Sequence, residues 1–117
     1  MRCCQIKLKT KAVKEITVKE LKQLMDDGAD FQLIDVREPN EFEVAEIGGT
    51  LIPLSTIPDN ADQISKDKQV VIHCRSGKRS ANAIHFLEQQ HDYDNLYNLV
   101  GGILAWSDEI DPSVQKY

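Results

Sequence analysis

The stretch Gln69–Gln89, QVVIHCRSGKRSANAIHFLEQ, constrains the fold more than any other part of the chain. Val70-Val71-Ile72 is a short β-branched run of the kind that forms a buried strand. Further on the period changes. Ser80, Ala83, Ile84 and Leu87 share one face at spacings of three and four, which predicts a helix. Only the loop Cys74-Arg75-Ser76-Gly77-Lys78-Arg79 is left to join the two. Strand and helix also alternate along the rest of the chain, so a parallel sheet with helices on both faces is expected.

A cysteine leaving a strand just before a helix has a specific chemistry. Unpaired backbone N–H groups and the positive end of the helix dipole converge on its sulfur. The side chains of Arg75, Lys78 and Arg79 add positive charge. All of these favour thiolate over thiol, so Cys74 is expected to be an acidic nucleophile. The alternative is a packed strand-end thiol, because cysteine is among the most buried residue types. Three cations and a glycine within five residues argue against an inert role.

With 117 residues the chain is long enough for one domain with its own core. Its net charge of −5 argues against general nucleic-acid binding and makes the basic loop a local feature. No apolar run approaches the roughly 20 residues of a membrane span, and Met1–Lys11 lacks the apolar core of a secretory signal. The cysteines, Cys3, Cys4 and Cys74, make no disulfide framework, so a reduced, cytoplasmic protein is expected. No metal site is suggested by His73, His85 and His91.

Taken in order, residues 1–14 read as a mobile or edge segment before a domain spanning 15–117. Thr17 and Glu20 form a capping box, and Ile16 and Leu21 a hydrophobic staple, at the start of a helix that Gly28 ends. Phe31–Val36 reads as a strand closing on Asp35-Val36-Arg37. Asn40–Ile47 reads as a short helix with Phe42 and Ile47 inward. A short strand at Thr50–Pro53 and an irregular helix over Ile57–Ile64 follow. His73 neighbours the nucleophile, but adjacent strand residues point to opposite faces, so it reads as a packed structural histidine. Asn95–Val100 is a further strand, running into Gly101-Gly102-Ile103-Leu104-Ala105-Trp106. The glycines permit a tight turn with close backbone approach, and Trp106 is a core anchor.

Three motifs in this order carry a family resemblance: Asp35-Val36-Arg37, the loop Cys74–Arg79, and Gly101-Gly102 with Ala105-Trp106. From about Glu15 to Ile110 the chain resembles a single-domain rhodanese-like sulfurtransferase. It departs at Glu46-Ile47-Gly48-Gly49, where that family often has His-Ile-Pro-Gly. Cysteine phosphatases, by contrast, place five residues between the cysteine and a phosphate-clamping arginine. Here that position is Ser80, and Arg79 comes one place early. The shorter loop suits one bound sulfur better than a tetrahedral phosphate.

The resemblance implies an α/β fold with a roughly five-stranded parallel sheet flanked by helices on both faces. It implies that Cys74 takes sulfane sulfur from thiosulfate or a protein persulfide, carries it as a persulfide, and passes it to a thiol or cyanide. Arg75, Ser76, Gly77, Lys78 and Arg79 would form the substrate-binding loop, with Asp35 and Arg37 in support. Asp35 would accept bonds from loop donors, and Arg37 would pair with a carboxylate. The expected partners are a small anionic donor or a persulfide-bearing protein, and a thiol acceptor, with no cofactor, metal, nucleic acid or membrane. The competing readings are a cysteine phosphatase or arsenate reductase on a related fold, and a non-catalytic partner-binding module.

Overall fold

The computed structural model describes residues 13–117. The reading of segment 1–14, with its thiols Cys3 and Cys4, therefore falls outside the described residues except at Val13 and Lys14. The elements in chain order are β1 (Glu15–Ile16), α1 (Val18–Asp26), β2 (Phe31–Asp35), α2 (Pro39–Val44), β3 (Thr50–Leu51), α3 (Ile57–Asn60), β4 (Gln69–His73), α4 (Lys78–His91), β5 (Leu96–Leu99) and α5 (Gly102–Glu109). Single 3₁₀ turns, Leu54–Thr56 and Ala61–Gln63, flank α3, which matches the irregular helix expected there.

The five strands form one sheet in the order β1-β5-β4-β2-β3, and every pairing is parallel. The central strand β4 explains the two-layered core. Val70 and Ile72 pack on one face with Ile34, Ala83, Ile84 and Leu87. Val71 points the other way, to Leu21, Leu33, Leu99 and Trp106. A strand buried on both faces reads as a continuous apolar run, which is why Val70-Val71-Ile72 shows no alternation. The α4 stripe covers the first face, and α1 and α5 cover the second.

Local signals hold at α1. The Glu20 amide donates to Thr17 Oγ1 at 3.1 Å, and the Thr17 amide donates to Glu20 Oε1 at 2.9 Å. Ile16 and Leu21 share one buried cluster, as a staple requires. Ile16 also does something its sequence does not announce. It closes the edge strand β1, and its carbonyl accepts from the Val100 amide at 2.9 Å.

The helix expected over Asn40–Ile47 ends at Val44, and Phe42 and Ile47 are only half-buried. The reason is tertiary. The Arg37 guanidinium donates to the carbonyls of Glu41 and Ala45, at 3.3 and 2.7 Å, and the chain turns extended at Ala45. The Glu41 carbonyl also keeps its helical bond from the Ala45 amide, while the Ala45 carbonyl past the helix end is satisfied by a side chain instead of another turn.

Because all strands run the same way, the carboxyl ends of β2, β4 and β5 lie at one edge of the sheet. In open α/β sheets that edge forms the ligand crevice. Asp35, His73 and Leu99 close those strands, so the loops that follow them converge there.

Candidate active site

Gly77 caps α4 with φ of 111°, a left-handed conformation that only glycine adopts without strain. That turn folds Cys74–Gly77 back on itself, so the Gly77 amide donates to Cys74 Sγ at 3.1 Å. The Ser80 hydroxyl lies 3.5 Å from the same sulfur. Cys74 is 1 % exposed, on the floor of its own loop, while Arg75, Ser76 and Lys78 are exposed at the rim. Burial pushes the thiol up. The Ser80 hydroxyl and the amides of Ser80, Gly77 and Ser76 outweigh burial and hold Cys74 below the ordinary thiol value.

The loop amides point inward because the loop carbonyls are pulled outward. The Ile103 amide donates to the Cys74 carbonyl at 3.0 Å, and the Leu104 amide donates to the Arg75 carbonyl at 3.2 Å. In a trans peptide the N–H points opposite to the C=O of the same unit. Fixing the Arg75 carbonyl on α5 therefore turns the Ser76 amide towards the sulfur. The N-terminus of α5 approaches closely enough only because Gly102 has no side chain. A Cβ there would sit 2.5 Å from the Cys74 and Arg75 carbonyl oxygens. This is the close approach expected of Gly101-Gly102.

The supporting pair behaves differently from expectation in one respect. Asp35 and Arg37 are both fully buried and form an ion pair at 2.6 Å. Asp35 accepts from the Arg37 amide, Nε and guanidinium, and takes no bond from the Cys74–Arg79 loop. The pair braces the end of β2 beside β4 instead of touching the sulfur. Burial alone would lower the Arg37 pKa, but its bonds to Asp35 and Tyr117 hold it above the ordinary arginine value.

Arg79 is likewise spoken for. It donates to both carboxylate oxygens of Glu41, at 2.6 and 2.8 Å. That two-pronged bond pulls the Glu41 carboxyl down to about 2 and holds Arg79 above its ordinary value. Tyr117 joins the same network, donating to Glu41 Oε2 at 2.9 Å and accepting from Arg37 at 2.9 Å. Arg75 is exposed, and its Nε donates to the Tyr117 carbonyl at 2.8 Å. Lys78 is exposed at the start of α4.

His73 is fully buried; its Nε2 has no hydrogen-bond partner, and Asp35 Oδ2 lies 3.7 Å away. Its Nδ1 lies 3.4 Å from the Cys74 carbonyl oxygen, and no bond links the ring to Sγ. Burial holds it below the ordinary histidine value, despite the opposing pull of Asp35. The ring is therefore neutral near pH 7. In an unfolded chain it would protonate near the ordinary histidine value of about 6.5. Below that pH the unfolded state binds a proton that the folded state refuses, so stability falls as pH drops through about 6.5. His73→Gln is expected to flatten that part of the profile in urea unfolding between about pH 7.5 and 5. An unchanged slope would mean that the folded histidine accepts the proton.

Asn98 and Glu41 were not singled out from the sequence. Asn98 is a polar residue inside the apolar run Leu96–Val100, and a buried polar group demands partners. That was the available signal. Glu41 carried none, because its partner Arg79 lies 38 residues away.

The family model described as a rhodanese-like domain matches residues 17–109. The chain is 43% identical over 96 residues to a sulfurtransferase of Allochromatium vinosum, covering 81% of this chain and 89% of that protein. It is 36% identical over 121 residues to the chloroplastic rhodanese-like/PpiC domain-containing protein 12 of Arabidopsis thaliana, covering 97% of this chain but only 40% of that protein. Among solved structures, the rhodanese-like domain protein from Staphylococcus aureus superposes with a TM-score of 0.76 at 34% identity, covering 90% of this chain and 99% of that one.

Proposed function

The chain belongs to the rhodanese-like domain family, and from that membership we propose that it moves sulfane sulfur through a persulfide on Cys74. In the first half-reaction the Cys74 thiolate attacks the outer sulfur of thiosulfate or of a protein persulfide. A sulfur–sulfur bond forms on Cys74. The donor's own sulfur–sulfur bond breaks, and its electron pair leaves with sulfite or with the donor thiolate. In the second, a thiol or cyanide attacks the outer sulfur, and the Cys74 thiolate departs. Such a two-step exchange gives ping-pong kinetics.

The observation that carries this reading is the Gly77 amide 3.1 Å from Sγ, within a loop whose carbonyls are tied back to α5. Preset donors of this kind stabilise negative charge on the attacking sulfur and on the departing thiolate without rearranging. The exposed Arg75 and Lys78 would draw an anionic donor to the rim. Arg79 would contribute mainly by holding Glu41 and by its charge near Cys74.

The test is intact-mass measurement after incubation with thiosulfate. One added sulfur is expected on Cys74, and none in Cys74→Ser. Hydrolysis of an aryl phosphate without sulfur loading would replace this reading with the phosphatase one. Partner binding retained by Cys74→Ser, with no turnover by the parent chain, would replace it with a binding module.

A further inference from the structure

Behind the sulfur lies a second layer of hydrogen bonds with a conflict in it. The Ser80 hydroxyl lies 2.5 Å from Asn98 Oδ1 and 3.5 Å from Cys74 Sγ. It has one proton and two possible acceptors. Asn98 cannot turn round to resolve this. Its Nδ2 donates to the Gly77 carbonyl at 3.0 Å, and a flipped amide would set its oxygen against that carbonyl. Asn98 is 7% exposed and Ser80 is fully buried, so bulk water does not stand in for a lost partner.

We propose that Asn98 is a positioning residue that competes with Cys74 for the single Ser80 hydroxyl proton. The inference rests on the sulfurtransferase reading of this site and adds a residue to it. With Cys74 as a thiol, S–H donates to Ser80 Oγ and Ser80 donates to Asn98, so every group is satisfied. A thiolate can only accept. Ser80 must then swing its proton to the sulfur, and Asn98 Oδ1 is left buried without a donor. Ionisation of Cys74 therefore carries the cost of one lost hydrogen bond at Asn98. When the sulfur becomes a persulfide, the inner sulfur is neutral and the Ser80 proton returns to Asn98. The same hydroxyl swings back when the thiolate leaves in the second half-reaction.

Asn98 has another effect through Gly77. Its grip on the Gly77 carbonyl keeps that peptide unit oriented with the Lys78 amide turned into the loop. The two effects can be separated, since only the first requires the Ser80 hydroxyl. Other charged or titratable groups on the surrounding elements are Arg75 and Lys78 on the loop, Arg79 on α4, His73 on β4, and the Asp35–Arg37 pair at the end of β2. The substitutions below change none of them.

The experiment follows the rate of Cys74 alkylation by iodoacetamide against pH, which needs no sulfur transfer. Asn98→Leu removes the competing acceptor, and the Cys74 midpoint is expected to fall by about half to one pH unit. Below the midpoint, alkylation is then about three- to tenfold faster. In a Ser80→Ala background only the loss of the Gly77 bond remains, which removes an oriented donor from the loop, so the same substitution is expected to give no fall of the midpoint. An unchanged or raised midpoint in Asn98→Leu overturns the proposal, as does an equal shift with and without Ser80. Should Asn98→Leu fail to fold, Asn98→Asp carries the test. Its carboxylate holds the Ser80 proton more firmly, and the midpoint is expected to rise by at least about one unit; a fall or no change overturns the proposal. Thiosulfate loading is measured separately by mass. A chain that titrates as expected but never loads sulfur refutes the transferase reading and leaves the Asn98 assignment standing.

Discussion

Gly102→Ala is expected to cost about 3 kcal/mol of stability and to raise the pH midpoint of Cys74 alkylation. The backbone at Gly102 has φ of 58°, where an L side chain is strained by about 1–2 kcal/mol. The larger effect is steric. The new methyl would lie 2.5 Å from the carbonyl oxygens of Cys74 and Arg75 and 2.7 Å from the Arg75 carbonyl carbon. These are backbone atoms, so no rotamer change relieves the contact, and either α5 or the loop must move. Movement breaks the bonds from the Ile103 and Leu104 amides, which hold the loop carbonyls away from the sulfur. Without them the Ser76 amide is free to turn out, and Cys74 loses part of the field that keeps it acidic. Urea unfolding reads the stability, and the pH profile of alkylation reads the loop. A variant with the parent's stability and thiol midpoint would show that α5 does not set the loop. Gly28 makes the control: its φ of 64° is also left-handed, but nothing lies within 4 Å of a Cβ there. Gly28→Ala is thus expected to pay only the backbone term.

Asp35→Ala is expected to cost about 3–5 kcal/mol, because it leaves a buried guanidinium without its counter-charge. Arg37 is fully buried, and its 2.6 Å ion pair with Asp35 is the only one it makes among the described residues. Its remaining bonds go to the Glu41 and Ala45 carbonyls and to the Tyr117 hydroxyl, none of which is a full negative charge. For a fold stabilised by about 5–15 kcal/mol this is a severe loss. The alkylation profile of the fraction that folds is expected to move little, since Asp35 accepts nothing from the Cys74–Arg79 loop. Equilibrium unfolding in urea checks the first part. A loss below about 1 kcal/mol would mean that water reaches Arg37. A large shift of the Cys74 midpoint with little loss of stability would return Asp35 to a direct part in the chemistry.

The Thr17–Glu20 capping box and the α4 stripe were legible because their partners lie three or four residues apart. The short loop from Cys74 to the start of α4 was legible for the same reason: the end of the strand pattern and the start of the helical one lie only a few residues apart. Even the close approach at Gly101-Gly102 could be expected, since paired glycines before a helix mark a place where something comes near. What came near could not. The α2 boundary was misplaced because the chain turns extended at Ala45, where Arg37, arriving from β2, holds the carbonyl.

The chain's own order of residues determined the strand–loop–helix unit, the cysteine placed within it and the strand–helix alternation that calls for a parallel sheet, because these rest on periodicities and spacings of a few positions. Tertiary structure alone decided which cations remain available to a substrate, what orients the loop amides and which residue shares the Ser80 proton. Arg79 meets Glu41 across 38 residues, and Ser80 meets Asn98 across 18. The physical reason is that such pairings depend on how parallel strands bring their carboxyl ends to one edge, and no local pattern encodes which side chains will meet there.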